Sequence, residues 1–298
     1  MSASQTSEPV DPRERFPRPP FAQLKQTAPG TEAKMHPHPD HGEESYTGSG
    51  KLPGRAALIT GADSGIGRAV ALCFAKEGAD ILFTCLPEEK ADADETVRLV
   101  EAIGRRCVAI PGDIRQRWFC QHLVEQTMSA FGRLDILVNN AAYQRSCDKL
   151  EDFTEEDFDA TFRTNVYGTF FMSQAAIPKM KPGSSVINTV SIQGYDPSEN
   201  LLPYASTKAA LINMTKTLAA LAIKSGVRVN AVAPGPVWTP LIPATLGLTE
   251  TVMFGKQSAF GRPAQPVEQA VIYVFLASDD ASYVTGEIYG ATGGRSPV

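Results

Sequence analysis

The segment Thr60–Gly67, which reads TGADSGIG, constrains the fold of this chain more than any other stretch. It follows an apolar run, Ala56–Ile59, of the kind found in buried parallel strands. It precedes Arg68–Glu77, which has helical periodicity and ends at Gly78, a residue common just past helix ends. A strand, a glycine-rich turn and a helix in this order predict the first unit of a doubly wound α/β sheet.

Such a turn is suited to a dinucleotide. Its glycines permit close approach of the backbone, and the helix N-terminus offers free N–H groups to a pyrophosphate. A purely structural glycine turn is the alternative, and the flanking strand and helix make it the weaker one. The residues predicted to bind the cofactor here are Gly61, Asp63, Ser64, Gly65, Ile66 and Gly67.

Two later strand ends point to the same cleft. Asp113 and Ile114 follow the apolar run Cys107–Ile110, where the carboxylate is placed to accept from an adenine amino group. The run Leu134–Val138 ends in two amides and two alanines, whose small side chains would let a ribose and a nicotinamide lie against the backbone. Asn139 and Ala141 are therefore predicted to belong to the cofactor site.

Tyr204 and Lys208 lie four residues apart and so share one helix face, with Ser191 thirteen residues upstream. A nearby cation favours a phenolate, so this spacing predicts a Tyr204 pKa below its ordinary value of about 10. The Ser191 hydroxyl would hold a carbonyl oxygen within reach of the phenol proton. By itself the pair is weak evidence, because an aromatic packed beside a solvated lysine gives the same spacing.

In their order along the chain, these motifs resemble the short-chain dehydrogenase/reductase family. The family pattern T-G-x-x-x-G-x-G, N-N-A-G, Ser, Y-x-x-x-K and P-G is met from about Lys51 onward, except that Ala142 replaces the last glycine of the second motif. The resemblance implies a seven-stranded parallel Rossmann sheet with helices on both faces. It also implies that the catalytic residues are Asn165, Ser191, Tyr204 and Lys208.

The resemblance assigns further roles within the cleft. Asn165 would kink its helix and free a carbonyl for a water that links Lys208 to solvent. Pro234, Gly235, Val237 and Thr239 would join Tyr204 and Lys208 in holding the nicotinamide half of the cofactor.

Several phrases, among them the Pro-rich N-terminus and Gly261-Arg262-Pro263, resemble glucose/ribitol dehydrogenase homologues and bacterial aldehyde or alcohol reductases. This implies an NAD(P)-dependent oxidoreductase that interconverts an aldehyde, ketone or sugar with an alcohol, with Tyr204 as general acid and base. The alternatives are a 3-oxoacyl thioester reductase and a non-catalytic regulator that only binds a dinucleotide.

The end of the second strand decides between NAD and NADP in such folds, because an acidic residue there repels a 2′-phosphate. Here the strand ends without a carboxylate, and Thr84 tolerates either cofactor. Glu88 and Glu89 follow nearby, while Lys90 is placed to reach a phosphate. The sequence favours NADP slightly.

The substrate is expected between Ser191–Tyr204 and the segment after Pro234, under a mobile lid formed by residues 240–260. The residues predicted to form its walls are Gln193, Tyr195, Tyr143 and Trp238.

The chain has 298 residues and 43% hydrophobic content, and strand-like runs near 56–60, 80–85, 106–110, 134–138, 184–190, 227–233 and 286–290 predict one domain over residues 51–298. Residues 1–50 lack apolar periodicity and predict an extended, weakly ordered, Pro-rich arm, which we hypothesise to pack along a neighbouring subunit. His36, His38 and His41 fit a solvated tail better than a metal site, and we predict no bound metal.

A net charge of −5 without a basic stripe argues against nucleic acid as a partner. We expect no membrane association, because no apolar run approaches the roughly 18 residues of a membrane span. Five cysteines in no ligand-like spacing suggest reduced thiols and a cytoplasmic location. By the resemblance, the chain is expected to form a homotetramer.

Overall fold

A computed structural model describes residues 9–295, whose centre is a seven-stranded sheet with strand order β3-β2-β1-β4-β5-β6-β7. All neighbouring strands are parallel. This confirms the predicted doubly wound fold, and each strand lies within two residues of its predicted bounds. The strands are β1 Ala56–Thr60, β2 Asp80–Cys85, β3 Cys107–Pro111, β4 Ile136–Asn139, β5 Ser185–Thr189, β6 Arg228–Pro234 and β7 Ile288–Ala291.

Helices cover both faces of the sheet. One hydrophobic core packs the first, second and last helices on one face, and a second core packs the third, fifth and sixth helices on the other. Burial on both faces explains why the strands are continuous apolar runs rather than alternating ones. The helices are α1 Gly65–Lys76, α2 Lys90–Ala102, α3 Arg117–Phe131, α4 Glu155–Phe162, α5 Gly168–Ala176, α6 Leu202–Ala222, α7 Leu241–Thr245, α8 Leu248–Val252 and α9 Pro266–Ala277.

The strand order reverses between β1 and β4, which are direct neighbours with Ile59 opposite Val138. The connections from these two strands leave toward opposite faces, so a crevice opens at their carboxyl ends. Ligands of open α/β sheets bind at such a switch point. The motifs identified in the sequence follow β1, β4 and β5 and therefore meet at this edge.

The N-terminal arm, residues 9–50, has little regular structure in its described part but packs closely on the domain. Phe21 stacks on Trp238 with ring centroids 4.2 Å apart, and the Trp238 indole N–H donates to the Pro37 carbonyl at 2.9 Å. Met35 is 1% exposed within the same cluster. Phe21 is therefore covered by its own chain. The division into an arm and a domain at residue 50 remains a prediction.

The expectation of solvated histidines is wrong for His41, which is only 3% exposed. Its ring pairs with Glu32 at 2.9 Å and with Glu43 at 3.1 Å. Two carboxylates thus offset the cost of burying a charged imidazole. Within residues 9–295, no helix is both long enough and apolar enough to cross a bilayer.

Candidate active site

The glycine-rich turn lies where β1 ends and α1 begins. Gly61 and Gly65 have φ angles of +67° and +51°, a backbone region that residues with a Cβ rarely adopt. A Cβ on Gly67 would clash with the carbonyl oxygen of Gly61, so this glycine permits the helix to pack against the turn. The backbone is therefore shaped as a cradle that larger residues would fill.

Asn140 holds this cradle in place. Its side-chain amide donates to the Gly61 carbonyl at 2.8 Å, and its backbone N–H donates to the Thr60 hydroxyl at 2.9 Å. The Ala141 N–H donates to the same hydroxyl at 3.1 Å. The end of β4 is thereby tied to the end of β1 beneath the cleft.

Asn139, which the sequence assigned to the cofactor site, does not line the cleft. Its amide points into the interior and donates to Asn188 at 2.9 Å and to Ser173 at 3.2 Å. Side chains alternate between the two sides of a strand, so the last residue of β4 and the residue after it face different ways. The neighbouring Asn140 is the cleft residue.

The cleft has a volume of about 950 Å³ and runs from the end of β3 to the loop after β6. Thr84 lies in its wall and donates to the Ile110 carbonyl at 2.7 Å. Asp113 accepts from Arg115, so its carboxylate is already paired, and Lys90 pairs with Asp94 outside the cleft. The other predicted cofactor residues that line it are Gly61, Asp63, Ser64, Gly65, Ile66, Ile114, Ala141, Pro234, Gly235, Val237 and Thr239.

Asp63 is the least satisfied group of this wall. It is 2% exposed, and one of its carboxylate oxygens has no hydrogen-bond partner among the described residues. Burial, reinforced by the nearby Glu89, raises the pKa of Asp63 to about 7. A buried acceptor beside a glycine cradle fits a ligand that brings both phosphates and hydroxyl groups, as a nicotinamide dinucleotide does.

Ser191, Tyr204 and Lys208 meet at the centre of the cleft. The side chains of Ser191 and Tyr204 both line the cleft, and the Ser191 hydroxyl favours the ionised form of the phenol. Lys208 is 2% exposed, donates from Nζ to the Thr189 carbonyl at 2.8 Å, and lies 5.3 Å from the centre of the Tyr204 ring. Strand β5 and helix α6 thus bring a hydroxyl, a phenol and an amine to one point.

The pKa of Tyr204 does not shift in the predicted direction. Burial raises the pKa of Tyr204 to about 12, although the Ser191 hydroxyl acts to lower it. Burial lowers the pKa of Lys208 to about 7. Desolvation disfavours the charged form of each group, and the spacing alone does not reveal this burial.

Asn165 lies behind these residues on a π-helical turn, Arg163–Tyr167, that joins α4 to α5. Its side chain accepts from the Tyr143 N–H at 2.7 Å and donates to the Tyr143 carbonyl at 2.9 Å and to Thr207 at 3.0 Å. Extra residues in a helical turn free backbone groups from their regular partners. Asn165 therefore connects the irregular helix to α6, the helix of Tyr204.

The substrate end contains two of the four residues predicted for it, Tyr143 and Gln193. Trp238 does not line the cleft, because it is fully buried beneath the arm while its neighbours in the chain face the cavity. Tyr195 is also absent from the wall and packs beside Leu211 and Ile212. The arm residues Ala28, Pro29 and Gly30 line the cleft instead, and no local pattern in the sequence signals this.

A family model described as enoyl-(acyl carrier protein) reductase matches residues 61–296. A glucose and ribitol dehydrogenase of Daucus carota is 43% identical, over 91% of this chain and 95% of the relative. An Arabidopsis thaliana protein named NADPH-dependent aldehyde reductase 1, chloroplastic, is 42% identical, over 91% of this chain and 96% of that protein.

A solved structure of a short-chain dehydrogenase from Burkholderia cenocepacia J2315 in complex with NADP superimposes with a TM-score of 0.76. It is 33% identical, over 82% of this chain and 98% of that one. The fold and the cleft are those of a dinucleotide-dependent oxidoreductase. The chain belongs to the short-chain dehydrogenase/reductase family, which confirms the resemblance of its motifs.

Substitution of the two neighbouring asparagines should affect different properties of the protein. Asn140→Ala removes the tie to Gly61 and is expected to weaken dinucleotide binding about tenfold. Asn139→Ala removes the two buried hydrogen bonds to Asn188 and Ser173 and is expected to lower the free energy of unfolding by about 1–3 kcal/mol. Fluorescence titration with NADPH and urea unfolding measure the two effects, and equal losses of affinity in both variants would contradict the assignment.

Proposed function

We propose that the protein is an NADP(H)-dependent oxidoreductase that interconverts a carbonyl compound (an aldehyde, ketone or sugar) and the corresponding alcohol. The observation that carries the proposal is the meeting of Ser191, Tyr204 and Lys208 in the cleft that begins at the glycine cradle. A proton donor, a hydroxyl and a buried amine at this place suit the reduction of a polarised double bond to oxygen.

When bound, a nicotinamide dinucleotide supplies or accepts the hydride. Ser191 and Tyr204 hold the carbonyl oxygen with their hydroxyl groups, and Tyr204 gives its proton to that oxygen as negative charge develops there. A pKa of about 12 keeps this proton on Tyr204 at neutral pH, as reduction requires. Protonated Lys208 stabilises the tyrosinate that remains. Asn165 holds the irregular helix whose freed carbonyl would bind a water, and through this water and Lys208 the proton of Tyr204 is replaced from solvent.

The cofactor half of the proposal rests on the cradle and on the relatives. The Burkholderia structure contains NADP, and the name of the Arabidopsis relative specifies NADPH. Asp63 and Glu89 lie at the adenosine end of the cleft, and burial raises the pKa of both carboxyl groups. Partial protonation of Asp63, whose pKa is raised to about 7, reduces the repulsion of a 2′-phosphate.

A 3-oxoacyl thioester reductase is the second candidate, because the description of the matching family model names acyl carrier protein. An acidic carrier would need unpaired cations beside the cleft. Arg145, which follows the lining residue Gln144 in the chain, pairs instead with Asp157 at 2.8 Å. The presence of Ser191, Tyr204 and Lys208 together argues against the further alternative of a non-catalytic regulator.

We place the protein in a reducing compartment, the cytoplasm, because all five cysteines are free thiols. The word chloroplastic in the name of the Arabidopsis relative concerns that protein. Because four of the five thiols are buried in the folded chain, labelling is done after rapid denaturing lysis. Labelling of all five thiols is the expected result, and a disulfide among them would contradict this location.

Tyr204→Phe removes the proton donor and keeps the ring. We expect kcat for carbonyl reduction to fall by at least about 100-fold, the usual size of general acid catalysis. The Kd for NADPH should stay within about threefold of the wild-type value, since the cradle is untouched. Tyr195→Phe is the matched control outside the cleft and should keep the wild-type rate. A Tyr204→Phe rate above about a tenth of wild type would contradict the role.

The pH dependence of the reduction rate should follow the protonation of Lys208. As the pH rises through about 7, Lys208 loses its proton while Tyr204 keeps its own. The cation that stabilises the tyrosinate is then lost, so kcat/KM for reduction should decline above about pH 7. Lys208→Met should be slower and lack this decline between about pH 6 and 9. A decline of the same midpoint in Lys208→Met would contradict the assignment.

We propose that the chain assembles as a homotetramer in which the α4–α5 face forms one contact and the C-terminal stretch 282–289 forms the second, since one two-fold face alone joins only two copies. Phe158, Tyr167 and Phe170 are each more than 40% exposed along the α4–α5 face, and large exposed apolar side chains commonly mark interfaces. Phe170→Glu should lower the mass measured by sedimentation, whereas Trp118→Glu, at a more exposed aromatic position on α3, should not. A wild-type chain that sediments as a monomer would contradict the proposal.

A further inference from the structure

The N-terminal arm places a carboxylate on the glycine cradle. Oε1 of Glu32 accepts a hydrogen bond from the backbone N–H of Gly65 at 2.7 Å. Gly65 is the first residue of α1, and its N–H is one of the groups that a helix N-terminus leaves without an intrahelical partner. The contact crosses 33 residues of sequence, so an element outside the domain satisfies a group inside its cofactor turn.

Glu32 is itself fixed from several sides. It is 5% exposed, and the His41 ring lies 2.9 Å from the same oxygen that contacts Gly65. The backbone N–H of Glu32 donates to Asp92 on α2 at 2.9 Å. Arg68 on α1 lies 3.8 Å from Asp92 and balances its charge. The carboxylate therefore has one defined position above the turn.

The charges around the pair favour its ionised form at neutral pH. Burial alone would raise the pKa of Glu32, but His41 and then Arg68 hold it below its ordinary value. Burial alone would lower the pKa of His41, but Glu32 and Glu43 raise it to about 9. The groups facing the pair are Glu43 from the arm, Arg68 from α1 and Asp92 from α2.

The same arm also crosses to the opposite wall of the cleft. The Phe21 N–H donates to the Val252 carbonyl at 2.8 Å, the Gln26 N–H to the Pro243 carbonyl at 3.0 Å, and Lys25 Nζ to the Leu246 carbonyl at 2.9 Å. Helices α7 and α8 of the expected lid are thus attached to the arm. Gly30 lies between the two attachments, and a Cβ there would clash with the Pro240 carbonyl.

We propose that Glu32, oriented by His41, is a positioning residue for the dinucleotide, which makes the N-terminal arm part of the cofactor site. Its hydrogen bond holds the Gly65 turn in the conformation that presents the remaining N–H groups of α1 to a pyrophosphate. This inference rests on the proposed function, because it assigns the cradle to a dinucleotide. It concerns affinity for the cofactor rather than the proton transfer at Tyr204.

The test is fluorescence titration of the full-length protein with NADPH. Glu32→Ala removes the acceptor and is expected to weaken binding by at least about tenfold, while kcat at saturating NADPH changes by less than about threefold. Glu32→Gln keeps an oxygen for the Gly65 N–H and should bind within about threefold of wild type at pH 7.5. Glu44→Gln, an exposed arm carboxylate, is the control for loss of charge.

A pH series separates positioning from a merely structural contact. His41 carries its charge below about pH 9 and loses it as the pH rises through that value. NADPH affinity of the wild type should therefore decline between about pH 8 and 10, and His41→Gln should lack this part of the decline. His38→Gln, an exposed histidine of the same arm, should keep it.

The inference is wrong if Glu32→Ala binds NADPH as tightly as Glu44→Gln does. If Glu32→Ala does not fold, His41→Gln decides, and an affinity profile identical to that of the wild type overturns the inference. If the wild type and Glu44→Gln bind neither NADPH nor NADH, the proposed function itself fails. That result differs from the case in which only Glu32 has no effect.

Discussion

The arrangement of the site depends on one constraint, the desolvation of an amine and a phenol in the same cleft. Lys208 is buried with the Thr189 carbonyl as its hydrogen-bond partner, and Tyr204 shares the cleft with Ser191. Burial keeps the proton on the phenol and brings the pKa of the amine near neutrality. In the proposed reaction the phenol therefore holds the proton that reduction uses, and the amine supplies the charge that stabilises the tyrosinate. Both effects of burial require the walls that the rest of the fold provides.

Those walls come from three separate parts of the chain. The sheet supplies the turn after β1 and the end of β4, which Asn140 ties together. The loop after β6 supplies Val237 and Thr239. The N-terminal arm closes the remaining side, with Glu32 on the glycine turn and Phe21 on helix α8. The arm thus links the two walls of the cleft and lacks a separate core of its own among the described residues.

The sequence predicts the periodic and glycine-dependent parts of this structure well. The seven strands follow from their apolar runs. The turn at Gly61–Gly67 follows from its glycines, because only a few backbone conformations require this residue type. The sequence predicts less well the features that depend on the direction of a side chain or on a contact between distant parts of the chain. Trp238 faces the arm because the side chains of successive residues alternate in direction. His41 is buried because it pairs with Glu32, which lies nine residues earlier in the chain. The pKa of Tyr204 depends on burial, which spacing along one helix does not report.

The most direct test of the account follows NADPH absorbance at 340 nm while the wild-type protein is mixed with a panel of aldehydes, ketones and sugars. The account predicts NADPH oxidation that depends on at least one carbonyl compound and is absent without it. A protein that binds NADPH and NADH yet oxidises neither with any member of a broad panel would contradict the assignment of this cleft to carbonyl reduction.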